Sequence, residues 1–213
     1  FDNTLLLFMS DNGGNAEAGP KGKTNGDPTK ADSDWFCGES WAFAENTPFR
    51  LFKHYNHEGG IATPLIAHWP TGISAKSELR SQPGHLIDVM ATCVDVAGAE
   101  YPRELKGQTI TPLEGKSLLP AFANRPIVRD AIYWEHEGNR AIRDGQWKLV
   151  AGFNSPWELY NISTDRSEQH DLSSTQPERT QAMENAWNDY ATRAQVVAWE
   201  KIRPNKRKVK SKK

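Results

Sequence analysis

Two adjacent residues near the start of the chain, Asp11 and Asn12, carry oxygens of the kind that hold a hard cation, and the pair Gly13-Gly14 follows them. Carboxylate and amide oxygens side by side suit Ca²⁺ or Mg²⁺ rather than Zn²⁺, and the glycines let the backbone turn tightly behind them. Asn-Gly also marks ordinary turns, which are far commoner than metal ligation, so both readings stand on these residues alone. A second concentration is Lys53-His54-Tyr55-Asn56-His57-Glu58-Gly59-Gly60. Clustered titratable groups beside glycines make an anion site, and they equally make a solvated loop. A third is Trp134-Glu135-His136-Glu137-Gly138-Asn139-Arg140, where His136 and Arg140 are candidates for substrate contact in a connection between strands. The alternative there is a solvated hairpin turn.

The elements that must position these groups follow from the apolar pattern. Residues 4–9 form an apolar run ending at Ser10-Asp11, which reads as a buried strand of a parallel sheet with Asp11 and Asn12 at its carboxyl end. Ligand sites of open α/β sheets lie at that end. From 13 to 46 the chain is polar and glycine-rich, with Trp35, Phe36, Trp41 and Phe43 set into it. A connection this long is a functional loop or a disordered one, and its aromatics either wall the site or anchor the loop. Residues 65–69 read as a second buried strand ended by Pro70. The spacing of Leu86, Met90, Cys93, Val94 and Ala97 predicts a helix over 85–97 capped by Gly98, with His85 and Asp88 in capping or polar-network roles and Cys93 as a buried thiol.

Further on, short strands are predicted at 131–134, 139–143, 146–150 and 157–161, with Asp144-Gly145 as a hairpin turn. Met183, Trp187, Tyr190, Ala194 and Val197 then mark one face of a helix over 177–197 that covers this antiparallel sheet.

Composition places the chain among globular proteins: 213 residues, 37% hydrophobic and 25% charged, with a net charge of −1. That near-balance hides an acidic body and a basic end, since seven cationic residues and no acid lie in 203–213. A bare lysine-rich end of this kind reads as a solvated, disordered tail rather than a nucleic-acid arm. No apolar run reaches membrane-spanning length. The first residue is Phe1 and a strand begins at once, which predicts that the chain is a portion of a longer protein.

Taken in order, Phe8-Met9-Ser10-Asp11-Asn12-Gly13-Gly14, then Lys53 five residues before Glu58-Gly59-Gly60, then Pro64-Leu65-Ile66-Ala67-His68-Trp69-Pro70, resemble the C-terminal half of a type I sulfatase of the arylsulfatase family. His85 to Asp88, Gly115 to Leu119, Ala141 to Leu149 and Glu158-Leu159-Tyr160 resemble later landmarks of the same family. The resemblance implies an α/β chain that is part of an alkaline phosphatase-like sandwich. It also implies an antiparallel sheet-and-helix subdomain, with divisions at 1–126, 127–200 and a basic tail at 201–213. It implies that Asp11 and Asn12 ligate Ca²⁺, that Lys53 contacts the sulfate of a sulfate-ester substrate, and that the protein works in a periplasmic, secreted or lysosomal setting.

The family's nucleophile is a formylglycine made from the Cys or Ser of a Cys/Ser-x-Pro-x-Arg motif. Neither Cys37 nor Cys93 lies in one. The implied function is therefore one part of a sulfatase, inactive by itself, with the formylglycine supplied from outside these residues. Two other readings remain: a phosphatase or phosphodiesterase of the same superfamily, whose paired transition metals call for several Asp and His ligands, and a non-catalytic cation- or glycan-binding module. Neither nucleic acid nor a membrane span is expected.

Overall fold

The computed structural model describes residues 1–202, so most of the expected basic tail lies outside the described residues. In chain order the elements are β1 (Leu6–Met9), α1 (Glu39–Asn46), α2 (Glu58–Ile61), β2 (Leu65–His68), α3 (Asp88–Val96), β3 (Glu104–Leu105), β4 (Gln108–Thr109), α4 (Leu119–Phe122), β5 (Ile132–His136), β6 (Asn139–Asp144), β7 (Trp147–Ala151), β8 (Glu158–Asn161), α5 (Pro177–Arg193) and α6 (Trp199–Ile202). They fall into two compact units, and neither is a single stretch of sequence. One unit joins 1–11 to 64–130, and the other joins 12–63 to the chain from Ala131 onward.

In the first unit, among the described residues, β1 pairs with β2 alone, and the pairing is antiparallel, with Leu6 opposite His68 and Met9 opposite Leu65. The parallel, buried strand expected from the apolar run is thereby corrected. An apolar run carries no information about the direction of its partner. Leu6 is 50% exposed and Phe8 68%.

Helix α3 starts at Asp88, later than expected, and the face it buries is not the apolar one. Asp88, Ala91 and Thr92 are buried, whereas Leu86, Met90 and Cys93 are exposed. Polar contacts decide this. The Asp88 carboxylate accepts the backbone N–H groups of His85 and Lys116, both at 2.8 Å, and pairs with Arg129 at 2.6 Å. The Thr92 hydroxyl donates to the Asp88 carbonyl and accepts the N–H of Leu118. Asp88 is thus the polar-network residue its position predicts, and Cys93 is an exposed thiol.

In the second unit, β5 to β8 form a four-stranded antiparallel meander. Asp144 pairs with Trp147 across a two-residue turn at Gly145-Gln146, one residue later than the sequence pattern puts it, and Gly145 supplies the positive φ of 55°. One face of the sheet is apolar. Ile142, Leu149 and Leu159 pack there against Met183 and Trp187 of α5, and Tyr133 stacks on Tyr190. The Trp187 indole N–H donates to the Trp134 carbonyl at 3.1 Å.

The other face carries Trp134, Ala141, Val150 and Tyr160, and beside them Arg143, Lys148 and Glu158 in the same registers. Alternation would give such a face to water, yet Lys148 is fully buried. The segment 50–58 covers it.

Candidate functional site

The geometry begins with two glycine pairs that interlock within the second unit. Gly13 N–H donates to the Gly60 carbonyl at 3.0 Å, and Lys53 N–H donates to the Gly14 carbonyl at 2.9 Å. A Cβ on Gly13 would lie 1.8 Å from the Gly59 carbonyl oxygen, closer than any side chain is tolerated. Asn46, the last residue of α1, ties the turn down: its amide oxygen accepts Gly14 N–H at 2.9 Å and its amide nitrogen donates to Leu51 O at 3.1 Å. The turn that follows Asp11-Asn12 is therefore spliced by backbone to the loop that carries Lys53.

Lys53 is partly exposed, and its ammonium is 2.9 Å from the Glu17 carboxylate. That pairing is the largest influence holding the Glu17 carboxyl below its usual range. Glu17 was not among the sequence candidates. A lone Glu after a glycine turn gives no signal of its partner, which is 36 residues away.

Next in the chain, His54 has a left-handed backbone, φ 93°. Its ring lies 5.4 Å from that of His136, edge to face, and its Nδ1 is 3.5 Å from the Glu137 carboxylate. Buried Asn139 holds both histidine backbones, donating to the His54 carbonyl at 3.2 Å and to the His136 carbonyl at 2.9 Å. So Lys53, Glu17, His54, His136 and Glu137 form one cluster.

Arg140 does not join this cluster. It lies opposite Glu135 on the face of the sheet that packs against α5, and its guanidinium sits 4.4 Å over the Trp157 ring. Asn139 and His136, opposite one another, point to the other face. Asp11 is exposed, and its carboxylate has no hydrogen bond or ion pair among the described residues.

His57 and Glu58, which the sequence grouped with Lys53, are buried and serve the scaffold. Glu58 pairs with Lys148 at 2.9 Å and with Arg166 at 3.3 Å, while Lys148 also pairs with Glu168 at 2.8 Å. Glu168 in turn accepts Glu58 N–H at 2.8 Å. Burial would raise the Glu58 carboxyl, but Lys148 and Arg166 hold it below its usual range.

Glu158 collects Arg50 at 2.5 Å, the Tyr160 hydroxyl at 2.6 Å and His57 Nε2 at 3.3 Å. Burial works to raise its carboxyl, and the hydrogen bonds from His57, Tyr160 and Arg50 overcome it, bringing it from 4.5 down to about 2. A carboxyl depressed on folding stabilises the fold above its unfolded value and loses that contribution as pH falls toward its folded value. Glu158→Gln is therefore expected to cost roughly 1.5–3 kcal/mol near neutrality. It should also flatten the stability loss between pH 4.5 and about 2. Urea midpoints of both proteins across that window are the check, and parallel curves would show that Glu158 carries no such linkage.

Of the loop aromatics, Phe43 packs edge to face on Phe52 at 5.1 Å and so anchors α1, whereas Trp41 is 68% exposed. The Trp35 indole N–H donates to Gly26 O at 2.9 Å.

The family model described as N-sulphoglucosamine sulphohydrolase, C-terminal, matches residues 49–191, from just ahead of Lys53 almost to the end of α5. The chain belongs to this family. It is 30% identical over 92% of its length to an uncharacterized sulfatase of Schizosaccharomyces pombe, of which it spans 39%. It is 28% identical over 76% of its length to the N-acetylgalactosamine-6-sulfatase of Rattus norvegicus, of which it spans 26%. Among solved structures, Ps i-CgsB in complex with k-i-k-neocarrahexaose superposes with a TM-score of 0.66 at 30% identity, over 89% of this chain and 37% of that one. The chain thus spans between a quarter and two fifths of these proteins. Its fold is the C-terminal portion of their alkaline phosphatase-like α/β architecture, as the motif order predicts.

Proposed function

We propose that the protein to which this chain belongs hydrolyses sulfate esters of carbohydrates, with this portion binding the sulfate through Lys53 and contributing Asp11 and Asn12 to a Ca²⁺ site. The observation that carries the reading is the backbone splice, which fixes the Asn12 turn to the Lys53 loop through Gly13–Gly60 and Lys53–Gly14 hydrogen bonds. A cation ligand and an ammonium held on one backbone frame are suited to charge that spreads over a sulfuryl group in transfer. The carbohydrate class follows the relatives, one named for N-acetylgalactosamine 6-sulfate chemistry and one solved with a neocarrahexaose.

The residues present fit the cation. An exposed carboxylate and an adjacent amide are hard oxygen donors, and two of the six to eight oxygens that Ca²⁺ takes come from this pair. Bound there, the ion supplies electrostatic stabilisation to the sulfate oxygens. Lys53 Nζ meets the sulfate by exchanging its Glu17 partner for a sulfate oxygen, which keeps the ammonium paired before and after binding. His136 contacts the sugar from the β5–β6 turn. Arg140 does not, because Trp157 holds its guanidinium on the other face.

Neither cysteine serves as nucleophile. The Cys37 thiol is hydrogen-bonded to Glu45, which pushes its pKa up and lowers its thiolate fraction, and Cys93 sits on α3 outside any formylglycine motif. The formylglycine and the remaining calcium ligands belong to other parts of the protein. We assign it to an exported setting, periplasmic, secreted or lysosomal. Calcium sites of modest affinity fill in such compartments.

The test is sulfate release by the full-length protein from sulfated oligosaccharides and from a nitrophenyl sulfate, with and without a calcium chelator. Turnover of phosphate esters alone would overturn the reading. Within the same protein, Asp11→Ala should weaken Ca²⁺ binding severely and Asn12→Ala less, since only the first removes a charged ligand. Calorimetric titration reads both. Undiminished binding in the two variants would return Asp11-Asn12 to a turn.

A further inference from the structure

Lys53 is followed by a cluster that the sulfate reading does not use in full. One ring nitrogen each of His54 and His136 and one carboxylate oxygen of Glu137 lie within 4.8 Å of one another. We propose that these three side chains form a binding site for a zinc-class transition-metal ion, separate from the oxygen pair Asp11-Asn12.

The distances are close to what such an ion requires. Zinc bonds to nitrogen and oxygen are about 2.0–2.2 Å, so the corners of a tetrahedral shell are roughly 3.4 Å apart. His54 Nδ1 and the Glu137 carboxylate are already 3.5 Å apart. The remaining closure falls on His136, which is exposed and makes no hydrogen bond through its ring among the described residues. A side-chain rotation of His136 brings its nitrogen the last ångström or so.

The support beneath the ligands is fixed. Asn139 is 1% exposed, and its amide nitrogen holds the carbonyls of both histidines, while its oxygen accepts Phe153 N–H at 3.2 Å. Those three bonds set the amide orientation and with it the two histidine backbones. Groups in this supporting role typically govern metal affinity by 10–100-fold.

His54 Nε2 lies 3.3 Å from the Asn139 amide nitrogen, while Nδ1 faces the Glu137 carboxylate. An ion held through Nδ1 would require the ring proton on Nε2.

Ligand chemistry separates the two ion sites. Two imidazoles and one carboxylate favour Zn²⁺, Co²⁺ or Ni²⁺, whereas an Asp-Asn pair favours Ca²⁺. Three protein ligands also leave a fourth position open, as in zinc sites that bind water or a substrate oxygen. An ion here would clamp the residue after Lys53 to the β5–β6 turn. The sugar contact assigned to His136 would then be made through the open position.

The site does not rest on the sulfatase reading, because its occupancy is measured without turnover. Full-length protein is stripped with a chelator, saturated with Ca²⁺ and titrated with Zn²⁺, in wild type and in His136→Ala and Glu137→Gln. His170→Ala, which removes an exposed histidine far along the chain, is the control. Co²⁺ is added in parallel to read ligand-field absorption. Wild type and control should bind one more equivalent than the two variants, or bind it at least about tenfold more tightly. Both should also show a Co²⁺ spectrum of four-coordinate intensity that the variants lack. Equal zinc stoichiometry and affinity with unchanged Co²⁺ spectra in all four proteins would overturn the site. Circular dichroism establishes that each variant is folded, and Glu137→Gln, nearly isosteric, decides the matter if His136→Ala is not.

Discussion

Lys53→Ala in the full-length protein is expected to lower sulfate-ester turnover by about 10² or more while leaving the protein folded, since removal of one preorganised stabiliser of developing charge typically costs on the order of 10²–10³. The side chain is a safe one to remove. It is 29% exposed, and among the described residues its only ion pair is with Glu17, itself 53% exposed, so no buried charge is left behind. Its backbone N–H keeps the bond to Gly14 O whatever the side chain, so the splice to the Asn12 turn survives. The loss should therefore fall on turnover, with Ca²⁺ affinity unchanged. Lys53→Arg should recover little, because a planar fork does not place charge where a compact ammonium does. Steady-state rates on a nitrophenyl sulfate beside calcium titration of the same sample give the answer. Near-normal turnover of Lys53→Ala would remove the lysine from the sulfate site.

The second large effect is on stability. Lys148→Met should destabilise the second unit by about 3–5 kcal/mol, because it leaves Glu58 and Glu168 buried without the ammonium that pairs with both. Lys148 is fully buried between the two carboxylates, at 2.9 and 2.8 Å. Against the effect of burial, the ammonium and Arg166 hold the Glu58 carboxyl below its usual range. Adding Glu58→Gln and Glu168→Gln to Lys148→Met should restore much of the loss, since a neutral set carries no unpaired charge. Amide exchange in β7 and around Glu58 reports the local unit without requiring two-state unfolding of a larger protein. A Lys148→Met protein whose β7 amides are as protected as wild type would show that the pair contributes nothing.

The sequence made the apolar side of the second unit legible and hid its charged side. Ile142, Leu149 and Leu159 alternate with other residues and α5 has its own stripe, so the sheet and its covering helix follow directly from periodicity. Lys148 and Glu158 occupy the alternate positions, which pattern assigns to solvent. Their partners Glu58 and Arg50 are 90 and 108 residues away, and no local signal announces them. The same limit explains α1, a short helix within what reads as an unpatterned loop, and the α3 face, where Asp88 and Thr92 accept the N–H groups of Lys116 and Leu118 and outweigh the apolar stripe. At the site, motif order singled out Asp11, Asn12 and Lys53. It joined His136 to Arg140, which the strand register separates, and it missed Glu17, Glu137 and Asn139, whose roles come from partners that are distant or across a turn.

The buried Lys148 pairing also sets a clock on biosynthesis. Glu58 is emitted from the ribosome long before the groups that hold it, since Lys148 lies 90 residues later and Glu168 110. At about 5–20 residues per second, the segment that carries Lys53 waits on the order of 5–20 seconds before its anchor exists. The meander from β5 to β8, built from adjacent hairpins, can form within milliseconds of its completion. In the nascent chain Lys53 is thus among the early residues to appear and among the late ones to be set in place. Slow translation upstream of Lys148 would lengthen the exposure of Glu58 and its neighbours to proteases and chaperones, with no change in the finished fold.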